Sequence, residues 1–289
     1  MFTPFEEGRV DLATFAANVE RQVKAGMDFL VPLGTTGETP TLSDDEKRAV
    51  LETAREHAEG RKIVVGVGTN SVPGTLANIR LLPDADAFLV VVPYYNKPPQ
   101  RGIYEYFKTI ASETDKPIIL YNVPGRTGSN IEAETTLQLA HDVPNIVGVK
   151  EASGKIDQIL AILKDRPEDF AVLSGNDDDT LKLMKAGADG VISVASNVAP
   201  LEMVRFIHAA MKGQTAGAAS EAWQTAEALE QRLQELFRVL FIEPNPIPGK
   251  AAMAQLGLME NSLRLPLVPA TAATESLVRQ TLNTLFETN

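Results

Sequence analysis

Apolar residues along this chain alternate between two rhythms. Short runs at residues 29–33, 63–68, 87–93, 117–123, 146–150, 171–175 and 190–195 are rich in Val, Ile and Leu, and Lys150 is their one charge. Runs of that length and branching predict strands buried on both faces. Between them, segments at 44–58, 103–114, 132–141, 156–165 and 180–186 repeat apolar residues at three- and four-residue spacing, the pattern of helices facing a core. Ser43 followed by Glu46 predicts a capping box at the first of these.

Strand, helix and strand in repetition imply βαβ units and a parallel sheet. A stub at residues 1–3 brings the seven strands to eight. The expected fold is therefore α/β, a (β/α)8 TIM barrel. An open dinucleotide-binding sheet is disfavoured because no G-x-G-x-x-G follows the first strand. The stub is short for a strand that must close a barrel.

Beyond residue 213 the rhythm changes. Trp223, Ala226, Leu229, Leu233, Leu236, Phe237 and Leu240 mark one face of a long helix. A Pro-rich turn at 243–249 then leads to a short helix and a final one near 274–286. The expected organisation is a catalytic barrel, 1–213, and a C-terminal helical domain, 214–289.

Composition narrows the function classes. The net charge of −11, without a basic cluster, argues against nucleic acid or an anionic membrane as partner. No apolar stretch reaches membrane-spanning length, and the N-terminus lacks a basic segment followed by an apolar one. The absence of cysteine excludes disulfides and thiol catalysis and fits a cytoplasmic protein. The three histidines, His57, His141 and His208, fall in predicted helices without metal-ligand spacing.

The active site of such a barrel lies at the C-terminal ends of its strands. Those ends carry Gly34-Thr35-Thr36-Gly37-Glu38, Pro93-Tyr94-Tyr95-Asn96, Tyr121 to Arg126, Lys150 and Ser174-Gly175-Asn176. Lys150 has two readings: a buried ion pair, for which Glu151 is available, or an uncharged amine acting as a nucleophile. Alternation places Ile146, Gly148 and Lys150 on one face, with Gly148 leaving room beneath the lysine and Tyr121 at similar height on the preceding strand. A lysine beside phenols suits Schiff-base chemistry with a keto substrate.

Each neighbouring motif also has a second reading. The Gly-Thr-Thr-Gly-Glu turn either caps the next helix or cradles a carboxylate with its backbone amides. Tyr94 and Tyr95 suit an interface pair as well as catalysis. Arg126 is solvated or grips a carboxylate. Asp177, Asp178 and Asp179 cap the following helix or, less simply, bind a metal.

Taken together, GTTGE at 34–38, PYYNKP at 93–98, YNVPGRTG at 121–128, GVKEASG at 148–154, LSGND at 173–177 and GVISV at 190–194 resemble the dihydrodipicolinate synthase branch of the class I, pyruvate-dependent aldolases. The resemblance runs the length of the chain. It implies that Lys150 forms an imine with pyruvate, and that Thr36, with the backbone around Thr35, holds the pyruvate carboxylate. It further implies that Tyr121 relays protons, linked through Thr35 to a Tyr95 that reaches a neighbouring subunit. Arg126 would bind the carboxylate of aspartate-4-semialdehyde, and backbone groups of Gly175 and Ile192 would line the pocket. A homo-oligomer, commonly a dimer of dimers, and no metal or organic cofactor are implied as well. Imine formation requires a neutral amine, which burial in an apolar strand favours.

In some members of that branch lysine inhibits from a site between subunits, through a histidine after GTTGE and a glutamate after the third strand. Here Asp44 and Lys47 occupy the first region, and no acid follows Asn70 until Asp84. Weak or absent lysine feedback is expected. Two rival functions remain: a sister aldolase cleaving N-acetylneuraminate or a keto-deoxy sugar acid, which Arg126 disfavours, and a non-catalytic binding barrel.

Overall fold

The structure, a computed structural model, describes residues 1–217 and 219–286. The chain forms two compact units, Met1–Ile63 together with the chain from Ser193 onward, and Val64–Ile192.

The first unit opens with a hairpin of β1 (Phe5–Glu6) and β2 (Arg9–Val10), followed by α1 (Leu12–Ala25), β3 (Phe29–Leu30) and α2 (Asp44–His57). Asp11 caps α1 by accepting from the Thr14 amide, and Gly26 ends it in the left-handed conformation. The capping box at α2 is present, with Ser43 and Glu46 bonded reciprocally. Phe29 and Leu30 pair in parallel with Lys62 and Ile63, the start of β4 (Lys62–Gly66).

Residues 1–3 form no strand. The Met1 ammonium donates to the Val31 carbonyl (2.7 Å), the Phe2 amide to Asn197 Oδ1 (3.2 Å) and Thr3 Oγ1 to the Gly37 carbonyl (2.8 Å). These partners are scattered among two backbone carbonyls and a side chain, so no ladder forms. The expected eighth strand is an anchored extended segment.

The second unit contains the rest of β4 and then α3 (Val72–Leu81), β5 (Ala87–Val91), α4 (Gln100–Ala111) and β6 (Ile118–Asn122). After these come α5 (Pro124–Thr127), α6 (Ala133–Asp142), β7 (Ile146–Glu151), α7 (Ile156–Asp165), β8 (Ala171–Ser174), α8 (Thr180–Lys185) and β9 (Gly190–Val191). Consecutive strands from β4 to β9 pair in parallel, with a helix between each pair. Their centres, such as Val65, Val90, Leu120, Val149 and Val172, are fully buried, as uninterrupted apolar runs require.

The chain then returns to the first unit with α9 (Pro200–Ala216), α10 (Glu221–Val239), α11 (Ile247–Gln255) and α12 (Ala272–Phe286). The expected apolar face of α10 is buried except for the half-buried Leu229. Gly213 of α9 lies against the Trp223 ring, where an added Cβ would come within 2.5 Å. The division expected after residue 213 falls inside α9, and Ala218 and residues 287–289 of the expected C-terminal domain lie outside the described residues.

Candidate active site

In the second unit, β6 and β7 pair so that Tyr121 stands opposite Lys150 and Asn122 opposite Glu151. Alternation sends Lys150 and Glu151 to opposite faces of β7. Lys150 is half-buried and Tyr121 buried, and the lysine Nζ lies 4.3 Å from the centroid of the Tyr121 ring. On the other side, a Cβ added to Gly175 would sit 3.0 Å from Lys150 Cε and 2.6 Å from Ala152 Cβ. Glycine at the end of β8 is what gives the lysine its space.

Gly148 has a different role from the one expected. A Cβ there would lie 2.6 Å from the Ala171 carbonyl oxygen, so this glycine permits close approach of β7 and β8. The Gly175 amide donates to the Glu151 carbonyl (2.7 Å), and the Ile192 amide to the Ser174 carbonyl (2.9 Å). Both residues extend the ladder at the strand ends.

The ion-pair reading of Lys150 fails. Glu151 turns away, and its Oε2 accepts from Ser153 Oγ (2.7 Å) and Gln158 Nε2 (3.3 Å). Burial pushes the Glu151 carboxyl up to about 7, against neutral donors on Ser153, Asn122 and Gln158 that pull it down. Among the described residues, Lys150 forms no salt bridge.

Arg126 is exposed on α5, the helical turn that follows β6. Tyr95 is 88% exposed and holds a positive φ of 74°, with its amide donating to the Thr127 carbonyl (3.1 Å). A non-glycine residue kept in that region is strained, and such strain concentrates at functional loops. Of Asp177, Asp178 and Asp179, expected to cap α8, Asp179 stands at the N-cap but makes no side-chain capping bond, and its carboxylate instead accepts from Asn176 Nδ2 (3.0 Å).

In the first unit, Thr35 and Thr36 open a short 3-10 turn, Thr35–Gly37, flanked by positive φ at Leu33 and Glu38. Neither caps α2, which has Ser43. Thr36 Oγ1 accepts from Asn245 Nδ2 (3.0 Å). An amide N–H can only donate, so this bond leaves the Thr36 proton available to an anion.

The end of the same loop is clamped by residues that sequence reasoning missed. Glu38 and Lys250 form a fully buried ion pair (2.5 Å), and Glu38 Oε2 accepts from the Arg264 amide (3.0 Å). Lys250 Nζ also donates to the Ser262 carbonyl (2.9 Å) and lies 4.1 Å from the Phe5 ring centroid. Burial pushes the Lys250 ammonium down to about 8, although Glu38 opposes this. Arg264 packs on Phe5 and bonds Glu46, whose carboxyl it holds down at about 2. The available signal was the lone charge of Lys250 within an apolar stretch.

The two lysines therefore divide. Lys250 is sealed and salt-bridged, which makes it structural. Lys150 is accessible and faces a phenol ring, which makes it the candidate nucleophile. Among the described residues, no group of three or more His, Cys, Asp or Glu is placed to hold a metal, and no helix is long and apolar enough to cross a membrane.

The model of the dihydrodipicolinate synthetase family matches residues 1–285. The 4-hydroxy-tetrahydrodipicolinate synthase of Porphyromonas gingivalis is 45% identical over 288 residues, spanning 98% of this chain and 94% of that protein. The crystal structure of dihydrodipicolinate synthase from Thermotoga maritima superposes with a TM-score of 0.94 at 43% identity, covering 98% of this chain and 95% of that one. The chloride-inhibited enzyme of Acinetobacter baumannii, solved in complex with pyruvate, gives a TM-score of 0.93 at 37% identity, covering 99% and 96%. The likeness spans nearly the whole chain, so the fold is of the expected TIM-barrel class with C-terminal helices, its parallel sheet having seven strands among the described residues rather than the eight expected.

Proposed function

The chain belongs to the dihydrodipicolinate synthetase family, and we propose that it condenses pyruvate with L-aspartate-4-semialdehyde to 4-hydroxy-tetrahydrodipicolinate, a lyase-type step of lysine and diaminopimelate biosynthesis. The observation that carries this reading is the accessible, unpaired amine of Lys150 over the Tyr121 ring, with Gly175 making its space.

The amine of Lys150 attacks the C2 carbonyl of pyruvate and water leaves, forming an imine. Loss of a C3 proton gives the enamine, whose C3 attacks the aldehyde of the second substrate. That substrate's own amine then attacks C2, the lysine leaves, and the ring closes. Tyr121 relays protons in the first and last steps. Thr36 Oγ1 and the backbone around Thr35 hold the pyruvate carboxylate, and Gly175 and Ile192 line its pocket. Arg126, exposed beyond β6, binds the carboxylate of the semialdehyde.

Tyr95 completes the relay of a neighbouring subunit, so the enzyme works as a homo-oligomer, at least a dimer. Its near-complete exposure on a strained loop supports this. Residues 1–213 act as the catalytic barrel and 214–289 as the helical domain that braces the Thr36 loop through Asn245 and Lys250. The protein operates in the cytoplasm, without metal or organic cofactor.

The test is a direct comparison of two reactions on the purified enzyme. Condensation of pyruvate with aspartate semialdehyde is expected, with negligible release of pyruvate from N-acetylneuraminate or keto-deoxy sugar acids. Fast sugar-acid cleavage without condensation would overturn the assignment in favour of a sister aldolase.

A further inference from the structure

Behind the Lys150–Tyr121 pair, on the opposite face of the same two strands, lies a polar cluster that the reaction does not use. Glu151 and Asn122 are its centre, 1% and 0% exposed. Asn122 Nδ2 donates to Asn130 Oδ1 (3.0 Å), and its Oδ1 accepts from the Ile131 amide (3.3 Å). Asn130 Nδ2 donates to Gln158 Oε1 (2.9 Å), and Gln158 Nε2 to the Ile131 carbonyl (3.1 Å). Ser153 Oγ and Gln158 Nε2 both donate to Glu151 Oε2. The ends of β6 and β7, the segment before α6 and the first turn of α7 are thus joined in one network, within which Glu151 is held by Ser153 and Gln158 while its Oε1 is buried without a hydrogen-bond partner among the described residues.

This is a costly arrangement. Burying an ionised carboxyl away from a cation is unfavourable, because the charge loses its hydration. Among the described residues, the one charged group that acts on it is Lys155, which is exposed. The bonds of such a network strengthen one another in a low-dielectric interior and together fix a geometry, here with Glu151 Oε1 left unsatisfied. What it fixes here is the last rung between β6 and β7, where Asn122 faces Glu151. The preceding rung is Tyr121 with Lys150.

We propose that Glu151 is a positioning residue for imine formation: by tying the end of β7 to Ser153 and Gln158, it holds the Lys150 amine in place over the Tyr121 ring. This rests on the reading of Lys150 as the imine-forming residue. Glu151 touches no substrate, since it points away from the barrel mouth. Its loss lets the end of β7 relax, and the amine shifts relative to the phenol and to the bound keto acid. Displacements of about 1 Å in such sites cost on the order of 100-fold in rate.

The experiment measures the rate at which full-length enzyme and pyruvate form a borohydride-trapped adduct, by intact mass and peptide mapping, over a range of pyruvate concentrations. Glu151→Ala is expected to slow trapping by about 10- to 100-fold at saturating pyruvate. The half-saturating pyruvate concentration is expected to stay unchanged, because the carboxylate-binding loop is untouched. Glu151→Gln keeps an acceptor oxygen and is expected to recover most of the rate. The pair Ser153→Ala with Gln158→Ala, both at half-buried positions, serves if Glu151→Ala does not fold, and should slow trapping in the same sense.

Wild-type trapping rates in Glu151→Ala, or in the double variant, overturn the proposal. So does a Glu151→Gln variant as slow as Glu151→Ala. A wild-type enzyme that gives no adduct at Lys150 overturns the imine reading itself, a result distinct from the others.

Discussion

The Nζ of Lys150 lies 4.3 Å from the centre of the Tyr121 ring, on directly paired residues of neighbouring strands. The phenol ring is an apolar wall to the amine, and its hydroxyl is the group able to move protons. Tyr121→Phe separates these roles. It retains the wall, so the folded structure should persist, while condensation should fall by about 100- to 10,000-fold, the usual worth of a positioned proton carrier. Steady-state rates with both substrates check this, and an unchanged rate would remove Tyr121 from the relay.

The sealed pair of Lys250 and Glu38 is a stability element. Removing one member leaves the other charge buried and uncompensated, at a cost of about 3–5 kcal/mol. Lys250→Met should therefore lower the urea midpoint sharply, and Glu38→Gln added to it should restore part of the loss. Equal stability of the single and double variants would contradict the pairing.

Glu151 sets a pH dependence. Its carboxyl titrates at about 7 in the folded chain, against an ordinary value of 4.5, because burial outweighs its neutral donors. Between those values the folded state binds more protons than the unfolded one, so stability falls as pH rises. The contribution is fully present below about 4.5 and lost as pH passes through about 7. Relative to wild type, Glu151→Gln should thus gain stability across that window. Thermal unfolding at a series of pH values measures it, and a difference flat with pH would contradict the burial of a titrating carboxyl.

Lysine should inhibit weakly or not at all. Asp44 and Lys47 open α2, Lys47 pairs with Asp44, and Asn96 Nδ2 holds the Asn70 carbonyl (2.9 Å). Initial rates with added L-lysine test this, and potent inhibition at micromolar lysine would refute it.

How much of this was legible in the sequence depended on whether a feature is local. The strand runs, the capping box at Ser43 and Glu46, and the apolar face of α10 are set by neighbours a few residues away, and the structure has them. Lys150, Tyr121 and Gly175 were legible because barrel topology places strand ends together. Features fixed by packing between distant segments were not. Neither the Glu38–Lys250 pair nor the bond from Asn245 to Thr36 has a periodic signature. One of the two sequence readings of Lys150 pairs it with Glu151, but the pleat puts successive residues on opposite faces and gives Glu151 a separate network. Residues 1–3 looked like a short strand, yet their partners do not form a ladder.

The most direct measurement incubates the enzyme with pyruvate alone, reduces with borohydride and locates the adduct by mass. Chemistry through the amine on β7 predicts one pyruvate-derived adduct per chain, on Lys150, and none in Lys150→Ala. An adduct on Lys250 or elsewhere, or no adduct in a folded enzyme, would contradict it.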